Sequence, residues 1–289
     1  MRTILTGEER EAFDNIPLEA DEYVQIRYGT LQPTDNRFIR TRLRGDHNRL
    51  AVAIHIALLR WLGWQPDSLN DAPRSLVTYA ARQLNLSIDA LKGLSGDERV
   101  LREHRQIVRE HLQWRDYGQA ESVWLSEQLL GRALQHSSAV GLLEQAVQML
   151  RESQILRPGI TTLEAAVIAA LGQADQHIHG QAARLLTESQ KTALDMLVNR
   201  PDDEGGKQGL TFMLTPPSIP SADSLNDLIL KLSQLRKIGI GAAHLASAIN
   251  ANKRQLLAQT AARLAPSELR RITDLNERHT LLACLVVEL

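Results

Sequence analysis

Several things are scarce in this chain, and each scarcity removes a class of protein. There is one cysteine, Cys284, so no internal disulfide can form, and the opening MRTILTGEER has no apolar run of signal-peptide length. The composition fits a cytoplasmic, bacterial-style protein. The longest strongly apolar run, Leu50 to Leu62, is interrupted by His55 and Arg60 and falls short of the roughly 20 residues that span a bilayer, so no membrane span is expected. Alternating β-branched runs and Asn-Gly turns are missing, which leaves a sheet little support. Net charge is nearly missing too, −1 with a pI near 6.8, so no global field attracts nucleic acid. The four tryptophans, Trp61, Trp64, Trp114 and Trp124, sit in or beside apolar helical stretches and read as core rather than as base-stacking platforms.

Catalytic and ligand motifs are equally thin. Glu103-His104 and Glu110-His111 repeat at seven-residue spacing without forming HExxH, and Asp175, His177 and His179 lack a fourth metal ligand. Gly205-Gly-Lys-Gln-Gly209 has neither the spacing nor the Ser/Thr of a P-loop, and Gly239-x-Gly-x-x-His244 leaves a dinucleotide fingerprint incomplete. No catalytic residue, metal or cofactor is expected of this chain.

What is present is helix. Thr6-Gly-Glu-Glu9, Thr161-Thr-Leu-Glu164 and Thr187-Glu-Ser-Gln190 have the spacing of capping boxes. Leu225, Leu228, Ile229, Leu232 and Leu235 share one helical face, the pattern of an amphipathic helix. The expected fold class is all-α, in two helical modules, at least one with helix-turn-helix character. A boundary at Gly118 divides the chain into modules 1–117 and 118–289, with a flexible loop near 200–220 where Pro and Gly cluster. The C-terminal run TLLACLVVEL stops with no Gly, Asn or Pro signal, which reads as part of a longer chain.

Charge is distributed unevenly. Residues 1–36 hold three arginines against eight acids, whereas RFIRTRLRGDHNRL, residues 37–50, holds five arginines and one acid. A second basic zone spans 231–280, with nine basic residues against three acidic ones. Leu50 to Leu62 should be a buried helix whose first turn is Gly45 to Arg49. Its N-terminal N–H groups would then emerge beside Arg37, Arg40, Arg42, Arg44 and Arg49, with His47 and Asn48 in that turn. Helix N-terminus and arginine forks together suit a polynucleotide backbone. The competing reading is a basic loop salt-bridged to the acidic segment 8–22.

Val77 to Leu91 fits a helix-turn-helix, with a helix through Leu84, Asn85 at the turn, and Ser87 capping a second helix that would read a major groove, Lys92 at its end. Arg99, Arg102, Arg105 and Arg109 line one side of a helix, though Glu98, Glu103 and Glu110 could neutralise them. A weaker second unit would break at Gly239, its next helix carrying Asn252, Lys253 and Arg254.

Four blocks, LTGEEREAF, RTRLRGDHNRLAVAIHIALLRWLG, LTFMLTPPSIPSADSLNDLILKLSQLRKIGI and INANKRQLLAQTAARLAPSELRRITDLNERHTLLACLVVEL, together resemble the N-terminal region of the large replicative transposases of the Tn-three family. The most telling is Arg-Gly-x-x-Asn-Arg-Leu, here Arg44, Gly45, Asn48, Arg49 and Leu50. Asp46 and His47 depart from it, occupying positions where less acidic residues are expected. The resemblance implies double-stranded DNA as partner, specifically the terminal inverted repeats of a transposon. It also implies the remainder of a transposase chain as partner, and a homodimer in that full-length context. The family's Asp-Asp-Glu strand-transfer triad lies much further toward the C-terminus and matches nothing here, so no enzyme activity is expected of this part. The alternative is an all-α interaction or oligomerisation module of a larger enzyme.

Overall fold

The computed structural model of the chain describes residues 3–94, 98–135, 138–199, 209–216 and 219–289. Among these residues there is no strand, only an isolated parallel bridge between Arg115 and Ile155, and the all-α expectation holds. None of their helices is long and apolar enough to cross a membrane.

The chain forms two compact units, Met1–Leu129 with Ser138–Ala169, and Leu130–Ser137 with Ala170–Leu289. The division after Leu129 and that at Ala169/Ala170 both fall inside helices. Neither coincides with Gly118, because the segment following that glycine still packs into the first unit.

The first unit contains α1 (Gly7–Asp14), α2 (Glu22–Gly29), α3 (Pro33–Arg42), α4 (Asp46–Leu62), α5 (Arg74–Leu84), a 3-10 helix (Ile88–Gly93), α6 (Glu98–Leu112), most of α7 (Gln119–Ala133), α8 (Ala139–Glu152) and the start of α9 (Ile160–Leu185). At its centre lies α4, where Leu50 to Leu59 are ten consecutive buried residues. A helix apolar on every side is stable only when surrounded, and α2, α3, α5, α6 and the 3-10 helix all pack on it. Gly63 ends α4 in the left-handed region at φ 75°, where a Cβ is disfavoured.

Two expected caps form. Thr6 and Glu9 satisfy each other's backbone N–H groups, and so do Thr187 and Gln190. The third does not: α9 starts at Ile160, placing Thr161 inside it, and fully buried Glu164 instead accepts from the N–H groups of Ile4 and Leu5 at 2.9 and 3.0 Å. A carboxylate with no solvent needs donors, and the N-terminal strap supplies them.

The helix-turn-helix expectation is met only in part. Asn85 is left-handed (φ 61°, ψ 41°) and Ser87 caps the next element, whose 3-10 form ends at Gly93. No α-helix follows Ser87 before Leu94. Ile88, Ala90, Leu91 and Leu94 are held against the core around α4, so the segment cannot project as a reading helix.

The second unit contains the rest of α9, then α10 (Glu188–Asn199), α11 (Leu210–Leu214), α12 (Ala222–Ile238), α13 (Ala242–Leu245), α14 (Ala251–Arg263), α15 (Pro266–Arg271) and α16 (Leu275–Glu288). Its core is α16, buried from His279 to Val286, lying along α14. Burial pushes the Cys284 thiol up to about 12, which leaves it unreactive at neutral pH. The loop expected near 200–220 falls in part on residues 200–208 and 217–218, outside the described residues; between them α11 buries Leu210 and Met213.

The amphipathic helix is found as α12, capped by Ser221 and ended by left-handed Gly239, but its apolar stripe is not in a core. Leu225, Ile229 and Leu232 are 60%, 54% and 55% exposed, and only Leu235 and Ile238 reach the unit's interior.

A candidate nucleic-acid interface

Helix α3 begins with Pro33, whose fixed φ suits a first turn, and with Asp35 accepting from the Gln32 N–H at 2.7 Å. Ile39 and Asp35 face the core, which turns Arg37 and Arg40 outward. Asp35 is almost wholly buried, and its carboxylate receives Arg60 at 2.9 Å and His111 Nε2 at 2.8 Å, with the His111 ring stacked on Phe38 at 4.1 Å. This cluster fastens α3 to α4 and α6 from beneath. Sequence reading missed it because its members lie 25 and 76 residues from Asp35.

The three residues after α3 make a tight turn into α4, and the Arg-Gly-x-x-Asn-Arg block builds it. Gly45 sits at φ 81°, and a Cβ there would come within 2.7 Å of the His47 ring. Asn48 Nδ2 donates to the Arg44 carbonyl at 2.9 Å. Arg49 Nε donates to the Leu43 carbonyl at 3.2 Å, while its Nη1 lies 3.6 Å from Asp46. Arg49, Asn48 and His47 therefore shape the turn and are half-buried. Asp46, the apparent departure in the block, is the counter-charge that positions Arg49.

Arg37, Arg40, Arg42 and Arg44 are different. All four are exposed, and among the described residues none of their guanidinium groups has an ion pair or hydrogen bond. The competing salt bridges to segment 8–22 do not form. Four unpaired forks on one helix and its adjoining turn, next to the N-terminus of α4, constitute an anion-attracting surface.

The other candidates are placed elsewhere. Arg102 pairs with Glu98 at 3.0 Å, Arg105 with Asp67 at 2.7 Å and Arg109 with Asp116 at 2.8 Å; Arg99 is also engaged. Neutralisation along α6 thus comes mainly from loop acids rather than from Glu103 and Glu110. Lys92 pairs with Asp89 at 2.7 Å, and the Ser87 hydroxyl is occupied as a cap. In the second unit Lys253 is buried on Asp175 at 2.8 Å and Arg254 holds Glu288 at 2.7 Å, while Asn252 is exposed on α14. Lys253 and Arg254 brace α14 against α9 and α16 instead of facing outward. The metal alternative finds no support: Asp175 holds Lys253, His177 and His179 point to opposite sides of α9, and no cluster of metal-ligating residues occurs among the described residues.

Beneath the surface, His55 on α4 is fully buried with neither ring nitrogen partnered, and His104 on α6 meets it edge-on at 6.5 Å. Burial, reinforced by His104 and Arg105, lowers His55 to about 3, and burial lowers His104 as well. Both are neutral at physiological pH and seal α6 to α4 as apolar rings would.

Comparison with known proteins gives the chain a family and relatives. The family model described as Domain of unknown function (DUF4158) matches residues 4–170, which end where the first compact unit ends. The transposase for transposon Tn1546 of Enterococcus faecium is 27% identical over 289 residues, covering 100% of this chain and 29% of that relative. The transposase for transposon Tn501 of Pseudomonas aeruginosa is 26% identical, covering 99% and 28%, and that for Tn21 of Escherichia coli is 25% identical, covering 98% and 28%. The chain therefore spans under a third of the length of these relatives, matching their N-terminal part.

Proposed function

We propose, from the premise that this chain belongs to the DUF4158 family and matches the N-terminal part of replicative transposases, that it binds the double-stranded DNA of a transposon's terminal inverted repeats. Its role is to position the ends for strand transfer carried out by other parts of such an enzyme. The observation that carries this reading is the set of four unpaired guanidinium groups, Arg37, Arg40 and Arg42 on α3 and Arg44 in the turn that Gly45, Asn48 and Arg49 shape. The planar guanidinium fork matches phosphate oxygens two at a time, and contacts of this kind set register on the duplex while base edges supply specificity.

Fluorescence anisotropy with an inverted-repeat duplex and a scrambled duplex, at two salt concentrations, tests the reading. Four phosphate contacts predict a slope of log affinity against log salt near −3.6, at roughly −0.9 per contact. Arg40→Ala/Arg44→Ala should bring it about 1.8 nearer zero. Equal or absent binding to both duplexes would sink the proposal.

A second reading, a protein-interaction or oligomerisation module, is favoured by one observation: the solvent-facing Leu225, Leu228, Ile229 and Leu232 of α12. It concerns the second unit, so it competes with DNA binding only if the α3 variants change assembly and leave duplex affinity untouched.

A further inference from the structure

The ends of α6 and α8 are built alike. Gln113 (φ 57°) and Gln154 (φ 54°) each leave their helix through the left-handed region, and the following residues, Trp114 and Ile155, donate back to the carbonyls of Arg109 and Leu150 at 2.9 Å. The two ends are then tied together, Arg115 N–H to the Gln154 carbonyl at 2.9 Å and Leu156 N–H to the Arg115 carbonyl at 2.8 Å. A pocket of about 370 Å3 opens beside this tie, within the size range of small-molecule sites. Arg27, Tyr28, Arg60, Trp114, Arg151 and Gln154 line it.

Two of its three arginines lack a carboxylate. Arg60 is engaged by Asp35, but Arg27 and Arg151 have aromatic partners only: their guanidinium carbons lie 5.6 and 5.5 Å from the centre of the Tyr28 ring, and they donate to the Tyr23 and Tyr28 hydroxyls. Arg151 Nε is buried with no acceptor. Glu152, the one acid lining the pocket, accepts from Gln148 at 2.7 Å. Trp114 adds a flat apolar wall, and Gln154 an amide able to donate and accept.

We propose that this pocket binds a single nucleotide unit, its phosphate taken by Arg27 and Arg151 and its base placed against Trp114. Phosphate forks beside an aromatic wall are the chemistry by which proteins hold unpaired nucleotides. The choice of nucleotide rests on the nucleic-acid reading above; the pocket itself shares no residue with the α3 surface. The unit could come free or from an unpaired stretch of strand.

Titrating the purified chain with fluorescently labelled dAMP, and competing with unlabelled dAMP, adenosine, inorganic phosphate and a single-stranded hexanucleotide, tests this. Unlabelled dAMP should compete at least tenfold better than adenosine or phosphate alone. Arg27→Ala/Arg151→Ala should weaken dAMP at least tenfold while duplex binding changes less than twofold. Should the half-buried Arg151 be needed for folding, Arg27→Glu on the exposed face of α2 serves, with the same expectation. A hexanucleotide tenfold tighter than dAMP identifies a strand as the source, and equal affinity a free nucleotide. No dAMP binding at millimolar concentration, equal competition by adenosine or by phosphate, or unchanged affinity in the variants would overturn the proposal. Loss of duplex binding alone, with dAMP binding retained, would sink the α3 reading and leave this one standing.

Discussion

Two stretches of the first unit carry four arginines each, residues 37–44 and residues 99–109, and they end in opposite states. Along α3 and its turn the guanidinium groups have no partner among the described residues; along α6 all four are engaged, three of them by Glu98, Asp67 and Asp116. Both stretches are arginine-rich, although Glu98, Glu103 and Glu110 interleave with the arginines of the second. The lesson is that a basic face is defined by the acids that other segments bring to it. Asp67 reaches Arg105 from the loop after α4, and nothing near Arg105 in the chain announces it.

The largest effect should follow from erasing the free set. Arg37→Ala/Arg40→Ala/Arg42→Ala/Arg44→Ala is expected to lower inverted-repeat affinity at least about a hundredfold at low salt and nearly abolish its salt dependence, read by anisotropy. The four side chains are exposed, so the melting temperature should hold.

Next comes the seat of the paired helix. His55 and His104 stay uncharged in the fold because burial depresses their pKa values, whereas in the unfolded chain they titrate near 6.5. The unfolded state therefore binds more protons at acid pH. Stability is intact above about 6.5 and is lost as pH falls from there toward 3, by about 2 kcal/mol at pH 5 for His55 alone. Denaturant melts at pH 7 and 5 should show this, and His55→Leu, which sacrifices no hydrogen bond, should reduce the loss.

Asp116→Asn would release Arg109, making that end of α6 resemble α3, whereas Arg105 stays held by the Pro66 carbonyl as well as by Asp67. Duplex affinity is expected to rise a few-fold at most, with a salt slope steeper by up to about 0.9. Unchanged affinity would mean that α6 lies outside the footprint. The smallest effect belongs to Arg102→Ala, whose exposed pair with Glu98 contributes about 0.5 kcal/mol or less, and which should leave both stability and affinity nearly as they were.

Much of the architecture could be read directly. Thr6 with Glu9 and Thr187 with Gln190 cap as their spacing indicates, Leu50 to Leu59 are buried as an apolar-all-round run must be, and Gly45 starts α4 where the turn was expected. The readings that failed share a cause. Glu164 looked like a cap and became a buried acceptor for Ile4 and Leu5; Ser87 opened a 3-10 helix whose apolar residues the core claimed; Lys253 looked like a DNA contact and became the buried partner of Asp175. Each depended on a segment tens of residues away or more. The pocket around Tyr28 was invisible for the same reason: Arg27 sits in the acidic opening, and Arg151 reaches Tyr28 across 123 residues.

By itself, then, the sequence determined several helix starts and which helix could be buried on all sides, because caps and apolar periodicity act within one or two turns. Only the tertiary structure decided which cations remain available and which leucines face solvent. An ion pair or an apolar contact needs a partner from another element, and the free energy of burying or exposing a group is set by what packs around it rather than by its neighbours in the chain.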